Sequence, residues 1–161
     1  MSTTSNAKPD IRTLLKALTS DPRDLTLSHA LTRPQWEILG EYMQPTTIAS
    51  GRILISQGAD DRTLYFVESG MLTVHFEDAT GKIRLAAVGV GSVVGEGGFF
   101  SRMARSATVQ AGSDCILWTL SPMRFSELAN RQPTVALALA MALGSIMARR
   151  LVSNRRRIAV T

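Results

Sequence analysis

Cysteine is almost missing from these 161 residues. Cys115 stands alone, which excludes an internal disulfide framework, and its apolar neighbours suit a small buried residue better than a reactive thiol. Metal-ligand spacing is missing as well. His29 and His75 are isolated, and Asp60–Asp61 reads as a pair of solvated turn residues, so no metal is expected. No nucleophile–base pair stands out, which argues against an enzyme. The first ten residues, MSTTSNAKPD, have no apolar core and so form no secretory signal. A disordered tail over residues 1–10 and a cytoplasmic location are the expectation. The apolar run Val135–Ala148 has fourteen residues, where a bilayer span needs roughly 20, so no membrane span is expected.

What is present is an ordinary globular mix, 45% hydrophobic and 19% charged, long enough for one domain with a real core. The net charge of +5 has a local origin. Arg149, Arg150, Arg155, Arg156 and Arg157 supply five of the 18 cations, which leaves 13 cations against 13 acids in the rest of the chain. Only this C-terminal end suits nucleic acid, anionic lipid or an acidic partner.

Periodicity divides the chain. Residues 11–45 read as a helical segment. Ile11, Leu14, Leu15 and Leu18 share one helix face, a weak helix follows Pro22 over Leu25–Ala30, and Thr32-Arg-Pro-Gln35 is a capping box. That box opens a helix through Trp36, Leu39 and Met43 that stops by Pro45. Residues 46–120 read as short strands broken by turns: 52–56, 63–68, 71–76, 83–88, 93–94, 106–111 and 115–120, with a hairpin loop at Asp78–Gly81. Residues 121–156 are helical again. Ser121-Pro122 caps one helix, and Pro133 opens the longest one, to about Arg156, before a tail at 157–161. Two stripes run along this last helix: Val135, Leu139, Ala142, Ile146, Arg149, and Ala138, Met141, Ser145, Ala148, Val152.

The richest stretch is GEGGFFSRMARSATV, residues 95–109. Gly95, Gly97 and Gly98 leave backbone N–H groups uncovered, and if Phe99–Phe100 opens a short helix, those groups sit at its N-terminus, which favours anions. Arg105 carries a planar fork matched to two phosphate oxygens. Glu96 is acceptor-only and suits a sugar hydroxyl, on the far side of the sugar from the phosphate. Together these groups fit a cyclic sugar phosphate. A tight turn with a surface ion pair, worth about 0–1 kcal/mol, has the same composition.

The stretch resembles the phosphate-binding cassette of cyclic-nucleotide-binding domains, found in the catabolite activator protein family, protein kinase A regulatory subunits and cyclic-nucleotide-gated channels. Gly95-Glu96-Gly97-Gly98-Phe99-Phe100, the loop Ser101–Ala104, and Arg105-Ser106-Ala107-Thr108-Val109 carry the likeness. It extends upstream through Gly51–Phe76, with turn glycines at Gly51, Gly58 and Gly70, and downstream to MARRLVSN, covering about residues 34–156. The resemblance implies an α+β fold: a jelly-roll-like β-roll with N-terminal helices and a long C-terminal helix. It implies cAMP or cGMP as ligand, held by Gly95, Glu96, Gly97, Gly98 and Arg105, with hydroxyls from Ser106 and Thr108. Asn154 and Arg155 fall where the activator protein contacts the base; Asn154 equally suits a fraying helix end. A homodimer through the C-terminal helix and an unidentified effector protein are the implied partners. Two departures stand out: Gly97 replaces a bulky apolar residue, and the loop Ser101–Ala104 lacks the usual Gly or Pro and carries an extra cation, Arg102. The chain stops at Thr161 with no room for a winged helix after the long helix, so no DNA binding of that kind is expected. A sensor without its own output leads. A module that keeps the fold but not the ligand, and a nucleic-acid binder through the arginine end, stand as alternatives.

Overall fold

A computed structural model describes residues 9–22, 24 and 26–159, except the side chains of Arg84 and residues 154–159. The residues 1–8 of the expected disordered tail, and Val160 and Thr161 of the expected C-terminal tail, lie outside the described residues.

Three short helices come first: α1 (Arg12–Leu18), α2 (Thr26–Ala30) and α3 (Arg33–Gly40). The capping box forms as its residues dictate. Gln35 N donates to the Thr32 hydroxyl at 3.4 Å, and Thr32 N donates to the Gln35 side chain at 2.9 Å. α3 ends at Gly40, before Met43, because Pro45 belongs to a strand and pairs with Trp118. That strand lies at a sheet edge, where a residue without an N–H is tolerated.

The strands are β1 (Gln44–Ile48), β2 (Ile53–Ile55), β3 (Leu64–Ser69), β4 (Leu72–Glu77), β5 (Ile83–Val88), β6 (Val93–Val94), β7 (Thr108–Ala111) and β8 (Cys115–Leu120). A six-residue helix, α4 (Glu96–Ser101), interrupts them between β6 and β7. The strands form two antiparallel sheets, ordered β1-β8-β3-β6 and β2-β7-β4-β5. Two helices close the chain, α5 (Pro122–Arg131) and α6 (Pro133–Ala159).

Strand alternation explains how two cores arise. On β8, Leu117 and Cys115 point between the sheets, while Trp118 and Leu120 point to the helices; on β3, Val67 and Phe66 divide in the same way. The inter-sheet core adds Ile55, Leu72, Val94, Val109 and Ala111. The helix-side core joins Leu14, Trp36, Leu39, Leu128, Leu139 and Leu143. The first sheet is therefore covered on both faces. Cys115 is buried beneath the β3–β4 turn, where Gly70 has φ +92° and a Cβ would lie 2.4 Å from the Asp114 carbonyl. Only glycine fits there.

The stretch Pro133–Ser153 of α6 is long and apolar enough to cross a membrane by length and composition, once Arg149 and Arg150 are tolerated within it. Packing accounts for part of that apolarity, with 33% of the stretch buried. Val135, Ala136, Leu139, Ala142, Leu143 and Ile146 are buried in the helix-side core. Leu137, Met141, Leu151 and Val152 are exposed on the other side.

Candidate functional site

The site is built on the turn from β6 into α4. Gly95 takes φ +90°, and a Cβ there would lie 2.8 Å from both Arg105 Nη1 and the Thr63 carbonyl oxygen. A Cβ on Gly98 would stand 3.1 Å from the same Nη1 and 3.3 Å from Arg105 Cδ. These two glycines are the price of wrapping backbone closely around a guanidinium. Gly97 is different, since a Cβ there meets nothing within 4 Å. Gly97→Ala is therefore expected to stabilise the fold by about 0.5–1 kcal/mol, because it removes backbone entropy from an α4 position with room for a methyl group. Urea denaturation of the two proteins measures this. Phe99, buried against Phe125 at a ring-centroid distance of 5.2 Å, anchors α4 to α5.

Arg105 is 4% exposed, the only buried charged residue among the described residues. Its Nη1 donates to the Gly95 carbonyl at 2.9 Å; its Nη2 donates to the Thr63 carbonyl at 2.6 Å and to Asp61 Oδ2 at 2.8 Å. Its Nε is buried and has no partner among the described residues. An unpaired buried donor costs about 1–3 kcal/mol. The guanidinium is thus oriented by three acceptors, with its buried Nε–H left without one.

Asp61 is exposed, as the sequence suggests, but its carboxylate is also engaged within the fold. Besides Arg105, it accepts from the Thr63 N–H at 3.1 Å and the Thr63 hydroxyl at 2.8 Å. Partial burial pushes its carboxyl up, but the Arg105 and Thr63 hydrogen bonds outweigh this and hold it below the ordinary carboxylate value. A lowered folded-state value means the pair adds stability above the unfolded carboxylate value, about 3.9, and loses it as pH falls through the folded one. Asp61→Asn should therefore lower the denaturation midpoint more at pH 7 than at pH 3.

Glu96 opens α4, with its side chain 14% exposed, and accepts a hydrogen bond from Arg150 Nη1. Arg150 Nη2 donates to the Val93 carbonyl at 2.7 Å. Next to it on α6, Arg149 Nη1 reaches the Thr26 hydroxyl and, at 3.3 Å, Asp24. The C-terminal helix is fastened to the cassette by one arginine and to the α2 region by the other.

The remaining expected site residues fall differently. Ser106 is exposed in the bend after Arg105. Thr108 lies on the opposite strand face from the buried Val109, and its hydroxyl accepts from Gln57 N at 3.0 Å. Asn154 and Arg155 lie in α6, but their side chains are outside the described residues. Arg102 ends α4 at φ 57°.

Sequence reasoning missed Asp61, Arg62 and Arg150 as members of this site. Arg62 donates to the carbonyls of Gly98 and Phe99. For Arg150 a signal existed, because it continues the spacing of the buried Leu139, Leu143 and Ile146.

Residues 45–132 match the family described as "Cyclic nucleotide-binding domain". The chain belongs to that family. It is 36% identical over 129 residues to the cAMP-activated global transcriptional regulator CRP of Salmonella typhimurium, covering 79% of this chain and 60% of the regulator. It is also 32% identical over 109 residues to Glutaminase 2 of Bradyrhizobium diazoefficiens, covering 68% of this chain and 17% of that protein. The chain thus spans less than two thirds of the length of these relatives, 60% of the regulator and 17% of the glutaminase. A cyclic nucleotide-binding domain from Methylobacillus flagellatus superposes with a TM-score of 0.80 at 20% identity, over 92% of this chain and 82% of that one, which establishes the shared β-roll fold.

Proposed function

We propose that this cyclic nucleotide-binding domain is a cytoplasmic sensor of a 3′,5′-cyclic mononucleotide, cAMP foremost, and that it binds without catalysing. The buried, unpartnered Nε of Arg105 carries the reading. A guanidinium held by three acceptors, with its buried Nε–H free, is completed by an anionic oxygen. The cyclic phosphate supplies that oxygen, with the backbone of Gly95, Gly97 and Gly98 beside it. Glu96 accepts from the ribose 2′-hydroxyl, and exposed Ser106 adds a hydroxyl at the phosphate. Asn154 and Arg155, one turn beyond Arg150, are proposed to meet the base. The CRP relative, described as cAMP-activated, supports the choice of ligand.

Glu96 also holds Arg150, so the ribose hydroxyl and the C-terminal helix address the same carboxylate. Ligand binding therefore changes how α6 sits on the cassette, a shift between two arrangements of one helix. The exposed face Leu137, Met141, Ala148 and Val152 suits a second copy of that helix, and the signal passes through this dimer to a protein partner.

A ligand-free interaction module is favoured by one observation: Glu96 already has a partner. Nucleic-acid binding loses two of its five arginines, since Arg149 and Arg150 are engaged within the fold. Calorimetric titration with cAMP, cGMP and a cyclic dinucleotide decides among these. Saturable binding of cAMP, with the melting temperature rising as ligand increases, is the expected result; at a hundredfold excess over Kd the gain is about 2.7 kcal/mol. No heat and no thermal shift with any of the three overturns the sensor reading.

A further inference from the structure

The loop between β2 and β3 carries two adjacent charges that reach in different directions. Asp61 turns to the guanidinium of Arg105. Arg62 turns to α4, where its Nη2 donates to the Phe99 carbonyl at 2.9 Å and its Nε to the Gly98 carbonyl at 3.3 Å. We infer that Arg62 is a positioning residue of the nucleotide site, one that fixes the cassette helix over Arg105; this rests on the cyclic-nucleotide reading.

The reason lies in how little else holds α4. It has six residues, two of them glycines, and no side-chain N-cap. Short helices cannot satisfy their last carbonyls internally, and glycine raises the entropic cost of ordering them. Arg62 supplies donors to two of those carbonyls and a positive charge at the helix C-terminus, where the dipole favours it. One carbonyl it grips belongs to Gly98, where an added Cβ would stand 3.1 Å from Arg105 Nη1 and 3.3 Å from its Cδ. Asp61 and Arg62 are neighbours in the chain, so the loop sets the separation between the guanidinium and the cassette backbone. The phosphate is proposed to bind against these same groups. An error of an ångström there leaves the Nε donor of Arg105 aimed past its acceptor.

A lysine can serve one carbonyl as a point charge but not both as a fork. The series Arg62→Ala and Arg62→Lys is therefore graded. Two measurements test it on the full chain: calorimetric titration with cAMP, and amide hydrogen exchange without nucleotide. Arg62→Ala should raise Kd at least tenfold and speed exchange at residues 98–102, leaving β3 and β8 protected as in the wild type. Arg62→Lys should recover part of both effects. If Arg62→Ala binds cAMP within twofold of the wild type, the positioning role is wrong while the sensor reading stands. Faster exchange throughout the roll makes Arg62 a general stability residue and equally overturns the role. A wild-type chain that binds no cyclic nucleotide overturns the sensor reading, and this inference with it.

Discussion

Arg105→Leu should weaken cAMP binding by a hundredfold or more and destabilise the fold at the same time. Each hydrogen bond to a charged group is worth about 1.5–3 kcal/mol, so losing the phosphate contacts alone reaches that range. The stability loss has a separate origin. Leucine leaves the Gly95 and Thr63 carbonyls and the Asp61 carboxylate without their donor, inside a pocket shaped to the guanidinium. Removing one partner of a buried pair costs about 3–5 kcal/mol; Asp61 keeps 45% side-chain exposure, which places the cost at the lower end. Arg105→Lys separates the two effects, because a lysine preserves the charge but not the fork. Calorimetry and urea denaturation on the same samples measure both. Unchanged cAMP affinity in Arg105→Leu removes Arg105 from the site.

The second large effect belongs to Glu96. Glu96→Ala should raise the cAMP Kd between tenfold and a hundredfold, and the ligand itself supplies the control. Wild-type protein should lose a comparable factor with 2′-deoxy-cAMP, whereas Glu96→Ala should bind the two nucleotides equally. That cycle isolates the hydroxyl–carboxylate contact from any general loosening. Arg150 provides a further arm. In the folded chain it holds Glu96 and the Val93 carbonyl together. Arg150→Ala should therefore loosen the end of α6, seen as faster amide exchange beyond Ile146, while discrimination against the deoxy nucleotide persists. A Glu96→Ala protein that still discriminates shows that another group reads the hydroxyl.

Much of the fold was legible because it is dictated locally. Thr32 and Gln35 form a capping box wherever a helix follows them. Ser121 before Pro122 caps α5, accepting from Arg124 N. The runs at 83–88, 93–94 and 115–120 are strands in the structure at those same bounds. Boundaries drifted where pairing overrode local pattern. Pro45 looked like a helix stop and lies inside an edge strand. The strand read over 106–111 begins only at Thr108, because Arg105 is drawn into the site first. In the cassette, nothing in the letters separates Gly95 and Gly98 from Gly97. The difference is the position of Arg105, which crowds two of the three and leaves the third open.

The sequence alone determined the set of groups, a glycine-rich turn with one acid and one arginine inside a strand-rich region flanked by helices, because backbone freedom, capping and hydrophobic period act over a few residues. Tertiary structure decided what those groups are bonded to. Asp61 meets Arg105 across 44 residues, and Arg150 meets Glu96 across 54. A charge in a loop or at a helix end reads as solvated until the chain folds back. Burial then makes an unpaired guanidinium costly, so its partners are chosen by where the sheets and α6 bring carboxylates and carbonyls.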